Sequence, residues 1–500
     1  MTKKLIFGLT ALASIASVVV SDTCRTIQDT TAIELDHPLS TDYLTENFEY
    51  WSTACSALKP SCILSPTTAE EVSTIVKTLR ANGNTEKFAI KSGGHSPNKY
   101  FASIDGSPLI STRKLNEVNL DAASQTVRVG PGNRWVDVAK ALDGSGYTPV
   151  GGRIGDVGVG GLMLYGGLSF LSAQNGWAMS NVLEYEVVLA NGTIAKASKD
   201  HNKDLFDAMH GGGNNFGIVT SFLLQAYPID NEIWAGYFIF TPDKQSQILA
   251  AIRDFTENYD DHPKAAIIST TVMPLDLVEA WLMFVFYDGQ DPGDAFKQFL
   301  DIGPIANTAK KQSYASYLEA NNFAAIRGFS YEMGTETTPL PAKTDVYVLD
   351  SYINFWRKTA KTLFATAGII ASIAYQPVPK RQLRIAKEKG GDLLDMDENY
   401  DYIVFEMNLS YINLPFDWDD KRVQDAMKTL YTGQKALIDG FIKNGSLPSI
   451  PHLPLFANDG NQGQDYWGRI KPEKRAFAKK VQELVDPDNF FRSRTGSWKV

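Results

Sequence analysis

The chain has 500 residues, with 48 Lys and Arg against 57 Asp and Glu for a net charge of −9, and a length that holds about two to four domains with real cores. Apolar content of 44% and charged content of 21% are those of a globular protein, and three cysteines are too few for a disulfide-dense scaffold. The acidic balance, with no Lys/Arg-rich run, excludes a nucleic-acid surface, because phosphate binding needs clustered positive charge.

Lys3 and Lys4 precede an apolar run from Leu5 to Val20, and Ser14/Ala16 or Val19/Ser21 offer small residues for cleavage. The pattern is a secretory signal peptide over residues 1–21, too short and poorly flanked for a stable membrane anchor. No later stretch is apolar for long enough to span a bilayer. The mature protein is therefore expected outside the cell, free of the membrane once the leader is removed. Cys24, Cys55 and Cys62 follow. An oxidising compartment permits one disulfide among them, a staple for the leading segment, with Cys24–Cys62 the first choice of pairing. Glycosylation sequons at Asn191, Asn408 and Asn444 fit secretion.

Thr67 and Thr68 stand three residues before Glu70 and Glu71, a capping-box pattern. Val72, Ile75, Val76 and Leu79 then recur at helical spacing, and Asn82-Gly83 closes this amphipathic helix. Phe88–Ile90 reads as a strand that runs straight into Ser92-Gly-Gly-His-Ser96. A strand at Thr126–Val129 precedes Gly130-Pro-Gly132 and a helix carrying Trp135, Val138, Ala139 and Leu142. The chain becomes glycine-dense from Gly146 to Gly167. A strand at Tyr185–Leu189, the turn Asn191-Gly192 and the run from His210 to Thr220 complete a first region. From about Ile229 glycine thins out and aromatic-rich strands appear at Ile233–Phe240 and Leu282–Tyr287, with helical stretches between them. This second region reads as an antiparallel sheet with helices on one face. Pro448, Pro451 and Pro454 break the chain before a last helix, Glu473–Val485, with Phe477, Val481 and Leu484 on one face.

Glycine concentrates where backbone must approach a ligand closely, and successive N–H groups in such turns make anion-binding nests suited to a pyrophosphate. No run matches G-x-G-x-x-G or G-x-x-x-x-G-K-S/T, so neither a Rossmann dinucleotide site nor a nucleotide-hydrolysing P-loop is supported. Clusters recurring between Ser92 and Thr220 point instead to one extended, phosphate-bearing cofactor.

Lys91-Ser-Gly-Gly-His-Ser-Pro97, Gly155-Asp-Val-Gly-Val-Gly-Gly161 and the run Gly211–Thr220 resemble the flavin-domain motifs of the berberine-bridge-enzyme-like FAD-linked oxidases, part of the vanillyl-alcohol-oxidase superfamily. The tail segments Phe456-Ala-Asn-Asp459 and Val485–Phe491 resemble the closing motif of the same family. The resemblance covers nearly all the mature chain in order, and is strongest to the secreted fungal branch. It implies an α+β fold: a two-part PCMH-type FAD-binding domain with an inserted substrate domain of antiparallel sheet plus helices. The FAD domain would span residues 22–228 and be completed by residues 450–500, with the substrate domain at 229–449. FAD is the implied cofactor. Ser92, Gly93, Gly94 and Ser96 would hold its pyrophosphate, with Gly155, Asp156, Gly158, Gly160 and Gly161, then Gly217 and Ile218, completing the cradle. Asn458 would lie beside the flavin, and His95 would carry it covalently through an imidazole nitrogen. A neutral imidazole is a competent nucleophile near neutral pH, and of the six histidines only His95 sits in such a turn. His37, His201, His210, His262 and His452 lack metal-ligand spacing, and no metal is expected.

The chain departs from the family pattern at three positions. Many members carry a second flavin link through a Cys where this chain has Ile154, and no Cys follows Cys62. A single link through His95 is therefore implied. Val157 stands at the family's oxygen gate, where a small side chain favours oxidase over dehydrogenase behaviour. The usual Tyr two residues before Asn458 is Phe456, which removes a tyrosinate base.

Flavin oxidation of an alcohol, phenol or amine needs a base near the reacting carbon. The Tyr402–Tyr411 strand is the best source of one. Alternation puts Ile403, Phe405, Met407 and Leu409 on one face, and Tyr402, Glu406, Asn408 and Ser410 on the other. The apolar face should pack on helices, while the polar face either meets solvent or lines a cavity. Glu406 falls where family members place a catalytic Glu or Gln. A glycan on Asn408, two residues along the same face, would make that face external. Tyr165, Tyr402 and Tyr411 are alternative proton acceptors. Aromatic residues of the middle region (Tyr314, Tyr317, Phe323, Phe329, Tyr331 and Trp356) suit a sugar groove, an aromatic-metabolite pocket or a sheet core. The expectation is a monomeric secreted oxidase that uses O2 and a small-molecule substrate. The rivals are a dehydrogenase on the same fold and a non-catalytic flavoprotein.

Overall fold

Thr68 caps the helix Ala69–Arg80, its side chain accepting a hydrogen bond from the Glu71 N–H at 3.2 Å. Val72, Ile75, Val76 and Leu79 are fully buried, so the apolar stripe seen in sequence is the packed face. Each such side chain contributes about 1.5–3 kcal/mol of burial. The structure, a computed structural model, describes residues 21–81, 85–274, 278–413 and 418–500. The leader up to residue 20 and the expected helix stop at Asn82-Gly83 lie outside the described residues. No helix among the described residues is long and apolar enough to cross a membrane.

The same helix packs against the first of three sheets. Its strands run in the order Glu34–Asp36, Cys62–Ser65, Pro108–Ser111 and Ala89–Lys91. Cys24 and Cys62 form a disulfide that ties the helix Asp22–Thr30 to this sheet, and Cys55 is a buried free thiol. Phe490 and Phe491 from the C-terminal segment join that core. Arg494 donates to the Leu79 carbonyl at 2.9 Å, and the Phe88 N–H donates to the Arg494 carbonyl at 3.0 Å. The end of the chain thus closes on its beginning. The helix expected at Glu473–Val485 spans Pro472–Val485 and is followed by a short one, Phe490–Arg494; Leu484 is exposed, and Ala478, Val481 and Gln482 form the buried face. The spacing at Phe477, Val481 and Leu484 selected a stripe one residue off the docked one.

A second, antiparallel sheet runs Val118–Asp121, Thr126–Val129, Ile218–Pro228, Val182–Val188 and Ile194–Ser198, with Tyr147–Pro149 added against Ile218–Pro228. The third sheet is antiparallel and has eight strands. Its central order is Ile233–Phe240, Ala280–Tyr287, Ala265–Pro274, Ile370–Val378, Tyr402–Tyr411 and Ser330–Pro339. Ile403, Phe405, Met407 and Leu409 share one core with residues from the helices Gln245–Glu257, Tyr347–Ala360 and Trp418–Asn444. The longer helices cover that face, while the short helix Tyr314–Ala320 packs on the opposite face against Ala235, Phe284 and Phe286. The opposite face, carrying Glu406 and Asn408, turns toward the glycine runs.

Candidate active site

A cavity of about 520 Å3 lies between the glycine runs and the third sheet. Its wall on the glycine side is made by Ser92–Ser96, Val157, Gly158, Gly160, Gly161 and Gly217–Val219. Compact backbone makes that wall possible. A Cβ on Gly93 would come within 2.6 Å of Gly158, and one on Gly158 within 2.3 Å of the Gly93 nitrogen, so the two turns touch backbone to backbone. Gly94 has φ of +65°, a conformation that side chains resist. Ser92 Oγ donates to the Pro131 carbonyl at 2.6 Å and accepts from the Gly160 N–H at 3.1 Å, locking the first run to the second. Asn458 also lines the cavity; its Oδ1 accepts from the Gly167 N–H at 3.0 Å.

Two expected cradle residues do not line this wall. A Cβ on Gly155 would meet the Leu318 carbonyl at 2.7 Å, so its glycine serves a close chain crossing outside the cavity. The Asp156 carboxylate pairs with Arg134 at 3.1 Å and Arg327 at 2.7 Å, away from the cavity. A glycine-rich motif read as one unit cannot distinguish residues that line a ligand from those that hold the loop.

His95 stacks on Trp51 with ring centroids 4.4 Å apart, and Trp51 stacks in turn on Tyr331 at 3.9 Å. Burial pushes the His95 imidazole down to about 4, so the ring is neutral at physiological pH. Its Nε2 is buried and makes no hydrogen bond among the described residues. Such an atom costs free energy unless a partner supplies what the protein does not.

The sheet side is built in rungs. Glu406 stands opposite Thr335 and Ala374, Ala374 opposite Thr270, and Thr270 opposite Leu282. On the next rung Asn408 stands opposite Met333 and Ser372, and Ser372 opposite Val272. Glu406, Asn408 and Ser410 all line the cavity, which answers the question alternation left open. Asn408 Oδ1 is buried there, on the cavity side of the strand. The Asn191 sequon, by contrast, is in an exposed turn.

Sequence reasoning missed most of Glu406's neighbours. Arg153 reaches in from the glycine-dense segment and donates to Gln376 Oε1, while Gln376 Nε2 donates to Asp459 Oδ2 at 2.7 Å. Asp459 had been noted only as part of a family motif. Burial pushes Glu406 up to about 8, helped by the neighbouring Asp459 carboxyl and opposed by Arg153. Burial also raises Asp459, to about 6, against the Gln376 hydrogen bond and Arg153. The four residues come from widely separated segments, and Trp51 from a fifth. Spacing in the sequence carries no signal for such a meeting.

Of the alternative proton acceptors, Tyr165 lines the cavity, but its hydroxyl bonds Ser497. The Tyr402 hydroxyl donates to the Asp397 carbonyl at 3.2 Å, and that of Tyr411 to Asp420 at 2.6 Å; neither lines the cavity. Phe323 and Tyr331 belong to the cavity wall, whereas Tyr314, Tyr317 and Trp356 are core.

A covalently held flavin fits what is present: a glycine wall too tight for side chains, and beside it a neutral histidine with an unpartnered ring nitrogen. A sheet face carrying an ionisable pair stands across the same space. Fold and site together define a flavoprotein oxidoreductase of the PCMH-type architecture. Residues 60–198 match the FAD binding domain family. The chain is 42% identical over 471 residues to an uncharacterized FAD-linked oxidoreductase of Arthroderma benhamiae, covering 94% of this chain and 93% of that one. It is 34% identical over 481 residues to the bifunctional solanapyrone synthase of Alternaria solani, covering 92% and 87%. Among solved structures, a berberine bridge enzyme variant in complex with (S)-reticuline superposes with a TM-score of 0.74 at 17% identity, covering 96% of this chain and 98% of that one. The chain belongs to the FAD-linked oxidoreductases and shares the fold of berberine bridge enzyme.

Proposed function

We propose that this protein is a secreted, monomeric oxidase that holds FAD by one covalent bond through His95. It oxidises a small apolar molecule at an alcohol or amine carbon and passes the electrons to O2, giving H2O2. The observation that carries this reading is the placement of His95, neutral and unpartnered at Nε2, in the wall of a cavity whose opposite wall bears Glu406. Bound flavin supplies a two-electron acceptor for hydride.

The protein's own residues do the rest. Ser92–Ser96 and Gly158–Gly161 provide close backbone for the phosphates, and Ile154 and Val157 line the cavity where a second tether and an oxygen gate are expected. Val157 is small enough to leave oxygen a path, which supports oxidase over dehydrogenase behaviour. The buried carboxyls on the sheet side handle the substrate's proton, with Glu406 the group that the strand pattern singles out.

Around them the sheet face offers Leu282, Val272, Met333, Phe284 and Ile370, with short hydroxyls at Thr270 and Ser372. Apolar walls with a few polar groups favour an aromatic or aliphatic metabolite over a sugar, whose many hydroxyls each need a partner. The resemblance to a bifunctional solanapyrone synthase supports the same choice.

The test is to denature the purified protein and follow the flavin colour, then screen H2O2 release with aromatic alcohols, aliphatic alcohols and oligosaccharides. Flavin that stays with wild-type chain after denaturation and is lost in His95→Ala is the expected result. Flavin that survives denaturation in His95→Ala overturns the attachment. Turnover confined to oligosaccharides overturns the substrate reading.

A further inference from the structure

We propose that Asp459 is the catalytic base and that Glu406 is its protonated partner, the two carboxyls sharing one proton under the control of Arg153 and Gln376. This assignment rests on the flavin-oxidase reading above and divides the work of the sheet-side carboxyls.

Three observations carry it. The first is charge. Among the described residues lining the cavity, the charged side chains are Glu406, Asp459 and Arg153, with His95 held neutral and the phenols of Tyr165 and Tyr331 un-ionised. Tyr259 and Tyr314, which also face Arg153, are pushed above the usual phenol range by burial. Two carboxylates against one guanidinium leave a net negative charge on three buried groups in a cavity otherwise lined by neutral side chains. Retaining a single proton brings the cluster to neutrality, and two interacting buried carboxyls titrate as a pair in this way.

The second observation decides where the proton sits. Asp459 Oδ2 accepts a hydrogen bond from Gln376 Nε2 at 2.7 Å, and Gln376 is itself oriented by the Arg153 guanidinium on its Oε1. The amide group therefore cannot turn its oxygen toward Asp459, and it presents a donor, which stabilises the anion. Glu406 makes no side-chain hydrogen bond among the described residues, so nothing stabilises its charged form in the same way. Asp459 is the ionised member and Glu406 the neutral one.

The third is position. Asp459 follows Asn458, whose carboxamide holds the Gly167 N–H, and its carboxylate reaches over to Gln376 on the sheet. Gln376 lies on the strand next to that of Glu406 and on the same face, two residues from Ala374, the partner of Glu406, so the two carboxyls stand on one side of the cavity. A substrate that reaches this pair meets one acceptor and one donor. Phe456 removes the phenol that the family resemblance places on this segment, and Asp459 is the ionisable group that remains there. In the proton step, Asp459 takes the proton from the substrate O–H or N–H. The hydride from the adjacent carbon goes to the flavin of the proposed reaction, leaving C=O or C=N. Glu406 keeps its proton throughout.

The experiment is a pH titration of purified holoprotein by difference infrared spectroscopy, reading the carbonyl stretch of protonated carboxyl groups, on wild type, Asp459→Asn and Glu406→Gln. Comparison between variants cancels the other raised carboxyls, such as Glu332 and Asp392. The expected result is one band at neutral pH that disappears in Glu406→Gln and persists in Asp459→Asn. In Asp459→Asn that band also titrates at lower pH than in wild type, because the like charge beside it is gone. With any substrate found by the H2O2 screen, Asp459→Asn lowers kcat by about 100-fold or more and abolishes the acidic limb of the pH profile. Both substitutions preserve side-chain shape, and thermal melts confirm that the variants are folded. Loss of the band in Asp459→Asn with retention in Glu406→Gln reverses the assignment. No band attributable to either residue, or full turnover in Asp459→Asn, overturns it. Failure of the flavin reading has a separate signature, a purified wild-type protein that carries no flavin.

Discussion

A buried carboxyl in this chain changes its titration according to what surrounds it, and Asp392 shows the effect away from the cavity. It accepts the Asp395 N–H at 2.9 Å, and burial pushes it up to about 6. A carboxyl raised in the folded state costs nothing while both states are protonated, penalises folding increasingly as pH rises from the unfolded to the folded value, and costs a constant amount above that. Asp392→Asn removes that penalty while keeping an acceptor oxygen. The variant should therefore gain on wild type progressively between about pH 4 and pH 6 and hold that gain above, by at most about 3 kcal/mol for a shift of this size. Melting temperatures across that range check it, and a difference that does not vary with pH would remove Asp392 from the account. At this scale His95 was legible in the sequence because it stands in a short motif, while the Trp51 ring it stacks on comes from another segment. Arg153, Gln376 and Asp459 were not, because each owes its chemistry to residues hundreds of positions away.

The two glycine runs at Ser92–Ser96 and Val157–Gly161 behave as one element. Gly158 has φ of −73°, so alanine there meets no conformational barrier, yet its Cβ would press on Gly93 at 2.3–2.7 Å. Gly158→Ala should destabilise the protein by about 1–3 kcal/mol through overpacking, and lower its flavin content as the Ser92–Ser96 turn is displaced. Gly161 lines the same cavity and has no atom within 4 Å of an added Cβ. Gly161→Ala should therefore melt like wild type when both lack flavin. Equal melting of the two flavin-free variants would show that the contact between the runs has no weight. Element identities were largely legible: the Ile233–Phe240 strand has the expected bounds, and the neighbouring Leu282–Tyr287 strand begins two residues earlier, at Ala280. For the Tyr402–Tyr411 strand, alternation assigned the apolar face to helices but could not say whether the polar face met solvent or a cavity. Either face can be covered, and what covers it comes from other parts of the chain.

Across the whole molecule, the N-terminal helix, the first sheet and the C-terminal segment close on one another, and the Cys24–Cys62 disulfide spans 38 residues of that region. A loop of this length constrains the unfolded chain by about 4 kcal/mol. Replacing both cysteines with serine should lower stability by about that amount and open the Asp22–Thr30 helix to limited proteolysis. An unchanged denaturation midpoint would count against it. Cys55 will not exchange into the bridge, because burial pushes its thiol up to about 11.

The sequence alone pointed to the fold class, through a family resemblance along the chain, and to the glycine runs, the candidate flavin histidine and the favoured disulfide pair. The glycine runs and the histidine are written in short motifs, where neighbours in the chain are also neighbours in space. Only the tertiary structure decided that Glu406 and Asn408 face inward, that Gly155 and Asp156 stand off the cavity wall, and that Asp459 has an amide donor while Glu406 has none. Those properties depend on which distant segments the folded chain brings together, and on how much water they exclude when they meet.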